Sequence, residues 1–158
     1  MKVIIEGCDG SGKSTLAKRL AKIFHARVEH DSEPKSMEEY LNRLTTKENV
    51  IFDRFFLGQF VYNTPEERKL SYSGLYFLVN ECIKDPNIIL LYLDQDEDIL
   101  LDRLNNRSEE EKKKDSIIMN KVGKTDPKEF IREVKSRYEK ILNRFDGFLI
   151  LKGSDFNE

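Results

Sequence analysis

A short glycine-rich segment near the start of the chain constrains its fold more than any other feature. Residues 7–15 read Gly-Cys-Asp-Gly-Ser-Gly-Lys-Ser-Thr and follow the apolar run of residues 3–5. Gly7, Gly10 and Gly12 allow tight turns that point successive backbone N–H groups inward at an anion. The spacing is G-x-x-x-x-G-K-[ST], which is typical of a phosphate-binding loop between a strand and a helix.

The side chains of this loop suit a nucleoside triphosphate. Lys13 supplies a positive charge for the outer phosphates, and the Ser14 hydroxyl group suits Mg²⁺ as a ligand. The following helix adds the positive end of its dipole. The predicted triphosphate site comprises Gly7, Asp9, Gly10, Ser11, Gly12, Lys13, Ser14 and Thr15.

Length and composition limit the alternatives. The 158 residues include 27 basic and 29 acidic side chains, so we expect one domain over 1–158 and no nucleic-acid polymer as the main partner. No apolar run reaches transmembrane length and the chain starts with a strand pattern, so no membrane partner is expected. Cys8 and Cys82 are too far apart in sequence to indicate a disulfide framework or a zinc site, which fits a cytoplasmic location.

Apolar runs alternate with helical patterns along the chain, which is typical of a parallel sheet covered by helices. The continuous apolar runs at 49–52 and 88–93 suit buried parallel strands. Strands are predicted near 2–6, 27–30, 49–53, 87–93 and 148–151, and helices over 13–25, 36–46, 66–84, 96–106 and 127–144. The sequence therefore predicts an α/β fold with a five-stranded parallel sheet.

The charged segment at about 105–125 departs from this alternation. Residues 109–114 read Glu-Glu-Glu-Lys-Lys-Lys, with few apolar neighbours. Such a run is either a solvated helix face with Glu–Lys pairs or a mobile lid that closes over bound phosphates.

A second charged pair follows the apolar residues of the third predicted strand. Asp53 would lie at the edge where open α/β sheets bind ligands, and a carboxylate there can hold Mg²⁺ beside Ser14. The guanidinium group of Arg54 can donate paired hydrogen bonds to a second phosphate. The alternative is an Asp–Arg pair that only caps the strand.

Four segments make the chain resemble the thymidylate kinase family of P-loop kinases. Residues 6–15 are similar to its E-G-x-D-G-x-G-K-S-T loop, and residues 53–55 to its D-R-[YF] motif. Residues 85–94 resemble its P-D-L-T-x-x-L-D strand, and Arg103 and Arg107 match the R-x-x-x-R before its lid. The resemblance implies a P-loop NTPase fold with strand order 2-3-1-4-5, flanking helices and a lid segment.

The resemblance also implies an activity in nucleotide biosynthesis. ATP would be the co-substrate, Mg²⁺ the cofactor and a deoxynucleoside monophosphate the acceptor, with dTMP the first to test. Lys13 would hold the ATP phosphates, and Ser14 with Asp53 would place Mg²⁺. Asp9 would approach the acceptor sugar, and Arg54 would bind the acceptor phosphate.

Other positions are assigned by the same resemblance. Phe55, Tyr62 and Asn63 would lie near the acceptor base. Gly10 stands where some members carry a catalytic arginine, so the lid would supply the charge that stabilises the transition state. The predicted catalytic residues are Lys13, Arg54, Arg103 and Arg107, with Lys112 to Lys114 behind them.

Two departures from the family pattern leave an alternative acceptor open. The family's R-E-P-G-G-T motif survives only as residues 32–36, Ser-Glu-Pro-Lys-Ser, and Gly58 replaces a serine. In deoxynucleoside kinases, which share the fold, a Glu-Pro pair supplies a general base. Glu33 would then bind the acceptor and take the proton of a nucleoside 5′-hydroxyl group.

Two further hypotheses concern assembly and turnover. A homodimer could form through the apolar residues Leu75, Leu78, Val79 and Cys82, which could equally cover the chain's own sheet. A non-catalytic nucleotide-binding regulator is the third functional reading, and the intact Lys13, Ser14 and Asp53 argue against it.

Overall fold

A five-stranded parallel sheet forms the centre of the computed structural model, which describes residues 1–31 and 33–156. Its strands are β1 (Lys2–Gly7), β2 (Arg27–His30), β3 (Val50–Asp53), β4 (Ile88–Asp94) and β5 (Phe148–Lys152). They pair in the order β2-β3-β1-β4-β5, all parallel, which confirms the predicted order. Because β1 lies between β3 and β4, the loop after β1 emerges at the middle of the carboxyl edge.

Helices cover both faces of the sheet. They are α1 (Lys13–Phe24), α2 (Met37–Leu44), α3 (Gly58–Tyr62), α4 (Tyr72–Lys84), α5 (Glu97–Asn105), α6 (Glu109–Val122), α7 (Pro127–Leu142) and α8 (Gly153–Phe156). Because side chains alternate along a strand, Val3 and Ile5 of β1 pack with Ala17 of α1, whereas Ile4 joins the core on the other face. Within 1–31 and 33–156, none of the helices has the length and apolarity that a bilayer crossing demands.

The predicted helix over 66–84 is wrong at its start, because α4 begins only at Tyr72. The side-chain oxygen of Gln59 accepts hydrogen bonds from the backbone N–H groups of Lys69 and Leu70, at 2.9 and 3.2 Å. These bonds hold the preceding segment in an irregular path. The Ser71 hydroxyl then caps α4 by accepting a hydrogen bond from the N–H of Gly74 at 3.1 Å.

The short helices α3 and α8 were not predicted. All five residues of α3 are buried, so its sequence lacks the alternation of apolar and polar faces that marks a surface helix. Its position is nevertheless central, since it carries the chain from the end of β3 across the carboxyl edge of the sheet.

The charged segment forms the regular helix α6. Ser108 and Glu111 make a reciprocal capping box at its start, and Gly123 ends it with a backbone φ of 84°. Asp115, Met119 and Val122 are buried along one side of the helix. The solvated-face interpretation therefore holds for most of the segment, and whether α6 moves as a lid stays a prediction.

The apolar residues of α4 that were considered for a dimer interface do not face solvent. Leu75, Leu78, Val79 and Cys82 each have 0% exposed surface and belong to the core beneath α4. Of the two interpretations of these four positions, the one in which they cover the chain's own sheet is confirmed.

The capping box predicts a local effect on α6. In Ser108→Ala, the N–H of Glu111 loses its side-chain acceptor, so the helix should lose about 1 kcal/mol of local stability. Amide hydrogen exchange in α6 measures this loss. Ser116→Ala is the matched control, because this exposed hydroxyl group bonds only within α6 and alanine favours helix. Equal exchange rates in the two variants would contradict the capping role.

Candidate active site

The glycine-rich loop wraps closely around the end of β1. A β-carbon on Gly7 would lie 2.9 Å from the Ser11 hydroxyl oxygen and 3.0 Å from the Leu93 carbonyl oxygen, so only glycine fits there. Gly12, with a backbone φ of 102°, turns the chain into α1. Ser11 is fully buried inside the loop, whereas Thr15 is exposed at its mouth.

Lys13 lies inside this loop. Its ammonium group donates hydrogen bonds to the carbonyl oxygens of Gly7 and Cys8, at 2.9 Å each, and lies 3.9 Å from the Asp9 carboxylate. Burial lowers the pKa of Lys13, and the charge of Asp9 opposes that shift. A cation held by neutral carbonyl groups is ready to exchange them for anionic oxygens.

Two hard oxygen atoms meet at the start of α1 and the end of β3. The Ser14 hydroxyl group donates to the Asp53 carboxylate at 2.8 Å, and His30 Nδ1 lies 3.1 Å from the same carboxylate oxygen. Within the described part of the chain, no group of three or more His, Cys, Asp or Glu could hold a metal by itself. A hydroxyl and a carboxylate suit Mg²⁺, which keeps several waters and completes its ligands with phosphate oxygens.

Arg54 sits in a constrained turn directly after β3. Its backbone φ is 68°, an uncommon conformation for a residue with a side chain, and its N–H group donates to the Ile5 carbonyl at 2.8 Å. The guanidinium group pairs with Asp9 and lies 4.3 Å from the centre of the Tyr62 ring. A β-carbon on Gly58 would lie 3.1 Å from the Arg54 stem, which explains the small residue there.

The Asp9 carboxylate lies among three positively charged side chains, those of Arg54, Lys13 and Arg107. Burial alone would raise the pKa of its carboxyl group, but the positive charges of Arg54, Lys13 and Arg107 outweigh it and lower that pKa. The carboxylate therefore stays ionised and links the loop to the turn after β3.

The buried carboxyl group of Glu6 was not among the predicted site residues. It has no exposed surface and accepts hydrogen bonds from the Phe55 N–H and the Tyr138 hydroxyl, both at 3.0 Å. Burial raises the pKa of Glu6 to about 7. The group thus ties β1 to α7 and to the turn that carries Arg54. The sequence shows that Glu6 begins the motif shared with the family. It does not show that the side chain of Glu6 points into the core.

The two predicted arginines before α6 occupy different surroundings. Arg103 donates a hydrogen bond to the carbonyl oxygen of Gly10 and so contacts the loop directly. Arg107 instead forms ion pairs with two acids of α6, Glu111 and Asp115, at 3.2 Å each. Burial raises the pKa of Asp115, and the positive charge of Arg107 opposes that shift.

The structure does not bring the lysines at 112–114 to the loop. None of them belongs to the wall of the cavity around Lys13, and Lys112 lies 3.9 Å from Glu109 on its own helix. Their role as further catalytic candidates after the two arginines stays a prediction.

A cavity of about 530 Å³ opens around the loop; we call it the loop cavity. Its wall includes Lys13, Ser14, Asp53, Arg54, Arg103 and Arg107. The structure therefore gathers the predicted triphosphate, metal and catalytic side chains at one opening on the carboxyl edge of the sheet.

A second cavity of about 130 Å³, the side cavity, lies beneath α3. Its wall includes Glu33, Arg54, Phe55, Tyr62 and Asn63, the positions predicted near an acceptor. Phe55 is packed against Phe52 with ring centres 4.1 Å apart, and Glu33 is exposed at the rim. Ser32, at the position of the family's arginine, lies outside the described residues.

The hydrogen bonds of Glu6 predict opposite behaviour for two substitutions. Glu6→Ala leaves the Phe55 N–H and the Tyr138 hydroxyl without an acceptor, which should cost at least about 2 kcal/mol of unfolding free energy. Glu6→Gln can accept from Phe55 and donate to the Tyr138 oxygen, so its loss should be about 1 kcal/mol or less. Urea unfolding measures both, and equal losses would contradict the assigned network.

The raised pKa of Glu6 predicts a pH dependence of stability. The unfolded chain releases this proton near the ordinary value of 4.5, whereas the folded chain keeps it up to about 7. The free energy of unfolding therefore falls as pH rises through this window, by up to about 3 kcal/mol. Urea unfolding at pH 5 and pH 8 should show a larger fall for the wild type than for Glu6→Gln, and parallel curves would refute the shift.

Comparison with known proteins gives the family of the chain. The family model described as thymidylate kinase matches residues 31–154. The chain is 25% identical to a thymidylate kinase of Leptospira interrogans, over 89% of this chain and 80% of that protein. It is 26% identical to a probable thymidylate kinase of Methanococcus vannielii, over 88% and 76%.

Two solved structures share the fold. The YorR protein of Bacillus subtilis, in complex with phosphorylated GDP, has a TM-score of 0.71 at 21% identity, over 98% of this chain and 86% of that chain. Deoxyadenosine kinase of M. mycoides, with bound dATP, has a TM-score of 0.57 at 15% identity, over 98% and 92%. With most of its length matched by one family model, the chain belongs to the thymidylate kinase family of nucleoside monophosphate kinases.

Proposed function

We propose that this kinase transfers the terminal phosphoryl group of ATP to dTMP, giving dTDP and ADP. The observation that carries the proposal is the place of Arg54, which lines both the loop cavity and the side cavity. A cation at the junction of a triphosphate loop and a second cavity suits an acceptor that itself carries a phosphate. The relatives named thymidylate kinases support dTMP as that acceptor.

On the donor side, Lys13 exchanges the carbonyl oxygens of Gly7 and Cys8 for phosphate oxygens. Ser14 and Asp53 hold Mg²⁺, which when bound neutralises charge on the phosphates. The N–H groups at the start of α1 add fixed positive dipoles. These groups orient ATP with its terminal phosphate toward the side cavity.

On the acceptor side, Arg54 exchanges part of its contact with Asp9 for the acceptor phosphate. Asp9 then faces the acceptor sugar, and Phe55, Tyr62 and Asn63 surround the base. Transfer needs no base for a monophosphate, since its attacking oxygen is already largely ionised. Position and charge stabilisation are sufficient for this reaction.

The segment 105–125 acts as the lid in this proposal. Arg103 already contacts the loop at Gly10, and Arg107 lines the loop cavity while it pairs with α6. Bound phosphates would draw Arg107, and with it α6, over the reacting groups and exclude water. A single domain over 1–158, a cytoplasmic location and a homodimer remain predictions alongside this mechanism.

The donor side is tested by Lys13→Ala. Loss of this ammonium group should lower kcat for dTMP phosphorylation at least about 100-fold, because charge stabilisation in the transition state is lost. Coupled ADP release measures the rate, and circular dichroism checks the fold. Lys18→Ala removes an exposed lysine from the same helix as the control. Transfer at the wild-type rate would contradict the assigned role and favour a regulator without turnover.

The acceptor side is tested by Arg54→Lys. Lysine keeps the charge but not the planar pair of donors, so KM for dTMP should rise at least about tenfold while KM for ATP changes little. Steady-state kinetics with each substrate varied separates the two effects. Arg19→Lys, an exposed position on α1, is the matched control. An equal rise in KM for ATP would place Arg54 on the donor side.

The nucleobase of the acceptor is tested with the four common deoxynucleoside monophosphates. If dTMP is the substrate, its kcat/KM should exceed those of dCMP, dAMP and dGMP, measured by ADP release at fixed ATP. A higher value for another monophosphate would keep the kinase activity but refute the thymidine assignment.

A further inference from the structure

Two side chains adjoin both cavities. Among the residues that the structure describes, only Asp31 and Arg54 belong to the wall of the loop cavity and to that of the side cavity. A phosphoryl group that leaves a donor in one cavity for an acceptor in the other must pass between them. In such a transfer Asp31 would lie beside the path of the phosphoryl group, at a position that the family motifs did not indicate.

Asp31 is a buried carboxylate that is only half satisfied. One oxygen pairs with the ammonium group of Lys35, and the residue is 5% exposed. The other oxygen, Oδ2, is buried with no hydrogen-bond donor in the described part of the chain. A buried acceptor without a donor is unfavourable, so a ligand that brings a donor to it gains free energy.

The small size of the side cavity implies that its wall must move when an acceptor binds. At about 130 Å³ it is well below the roughly 300 Å³ at which small-molecule sites begin. An acceptor must therefore move part of the wall, and the β2–α2 segment that carries Asp31 and Lys35 forms one side of it. Movement of this segment would bring Oδ2 into contact with an acceptor at the junction of the cavities.

The chemistry of Oδ2 selects a hydroxyl group as its partner. A phosphate monoester is mostly a dianion at neutral pH and offers no proton to a carboxylate. A nucleoside 5′-hydroxyl group does offer one, and its attack on ATP requires a base within hydrogen-bond reach. Lys35 balances the charge of Asp31, so the pair repels neither kind of acceptor.

We propose that this kinase also phosphorylates the 5′-hydroxyl group of an unphosphorylated nucleoside, with Asp31 as the catalytic base. The activity is additional to the phosphorylation of dTMP and uses the same donor side. As the O5′ atom attacks the terminal phosphorus of ATP, its proton passes to Asp31 Oδ2. The O5′–P bond forms, the bond from phosphorus to the bridging oxygen breaks with its electrons on ADP, and Asp31 later releases the proton to water.

This assignment moves the base from Glu33 to Asp31. Glu33 is exposed at the rim of the side cavity and does not line the loop cavity. Asp31 lies directly after β2, beside the end of β3, with its N–H group 3.4 Å from the Asp53 carbonyl oxygen. A base at the junction can reach an oxygen that faces the donor phosphate, and a base at the rim faces solvent.

The test measures both acceptor classes on the full chain. Wild-type protein with ATP and Mg²⁺ is assayed with the four common deoxynucleosides and with their monophosphates, and the phosphorylated product is identified by chromatography. Asp31→Asn should lower nucleoside turnover about 100-fold. Because a monophosphate needs no base, the ratio of nucleoside to monophosphate kcat/KM should fall at least about 30-fold.

Controls separate this role from a general loss of structure. Asp98→Asn makes the same chemical change at an exposed position of α5 and should leave the ratio unchanged. Asp31→Glu keeps a carboxylate and should retain more nucleoside turnover than Asp31→Asn, with ATP binding measured for each variant. Rescue by glutamate of the nucleoside-to-monophosphate ratio supports a base, because restoring only the ion pair with Lys35 would raise both activities equally and leave the ratio unchanged.

Three results would overturn the proposal. They are no nucleoside product from the wild-type protein, an equal fall of both activities in Asp31→Asn, and loss of nucleoside turnover in Glu33→Gln but not in Asp31→Asn. Failure of dTMP phosphorylation with nucleosides still turned over would refute the proposed function and leave this inference standing.

Discussion

The buried carboxyl group of Glu6 is the contact on which the geometry of the site depends. It joins β1 to the turn after β3 through the Phe55 N–H, and to α7 through Tyr138. Arg54 occupies an unfavourable backbone conformation between these anchors. The Phe55 N–H bond to Glu6 acts together with the Arg54 N–H bond to the Ile5 carbonyl oxygen, and the two fix the turn that directs Arg54 toward Asp9. The core, rather than the loop, therefore sets the direction of the cation at the cavity junction.

The cations of the site already have oxygen partners within the protein. Lys13 binds carbonyl oxygens of its own loop, Arg54 pairs with Asp9, and Arg107 pairs with acids of α6. Each cation can exchange an oxygen of the protein for a phosphate oxygen, so it remains in contact with an acceptor throughout. Binding then becomes a series of exchanges rather than the burial of unpaired charge, which would be far more costly.

The sequence was sufficient for the sheet and for the donor side of the site. The loop around Lys13 and the approach of Ser14 to Asp53 were predicted from motifs at the ends of apolar runs, and the strand order was implied by the resemblance to thymidylate kinases. The segment between β3 and α4 was not predictable in the same way. There, α3 is buried on all sides and Gln59 takes up two backbone N–H groups, so tertiary contacts override the periodic pattern.

Side-chain partners across the sheet also escaped sequence reasoning. Nothing in the order of residues shows that Glu6 meets Tyr138, 132 positions later, or that Asp31 is left with an orphan oxygen. Such facts depend on which strands become neighbours and on how tightly they pack. The start of α6 is different, since its Ser-x-x-Glu pattern was present and could have located the helix.

The close contact between Gly58 and the stem of Arg54 couples the size of residue 58 to the direction of the arginine. A β-carbon at position 58 is tolerable only after the arginine stem has moved, and such a move disturbs its contacts with Asp9 and Tyr62. The family pattern carries both a serine at this position and the arginine of D-R-[YF], so the two side chains are compatible once the arginine stem has shifted. The size of residue 58 therefore sets where the guanidinium group stands between the loop cavity and the side cavity.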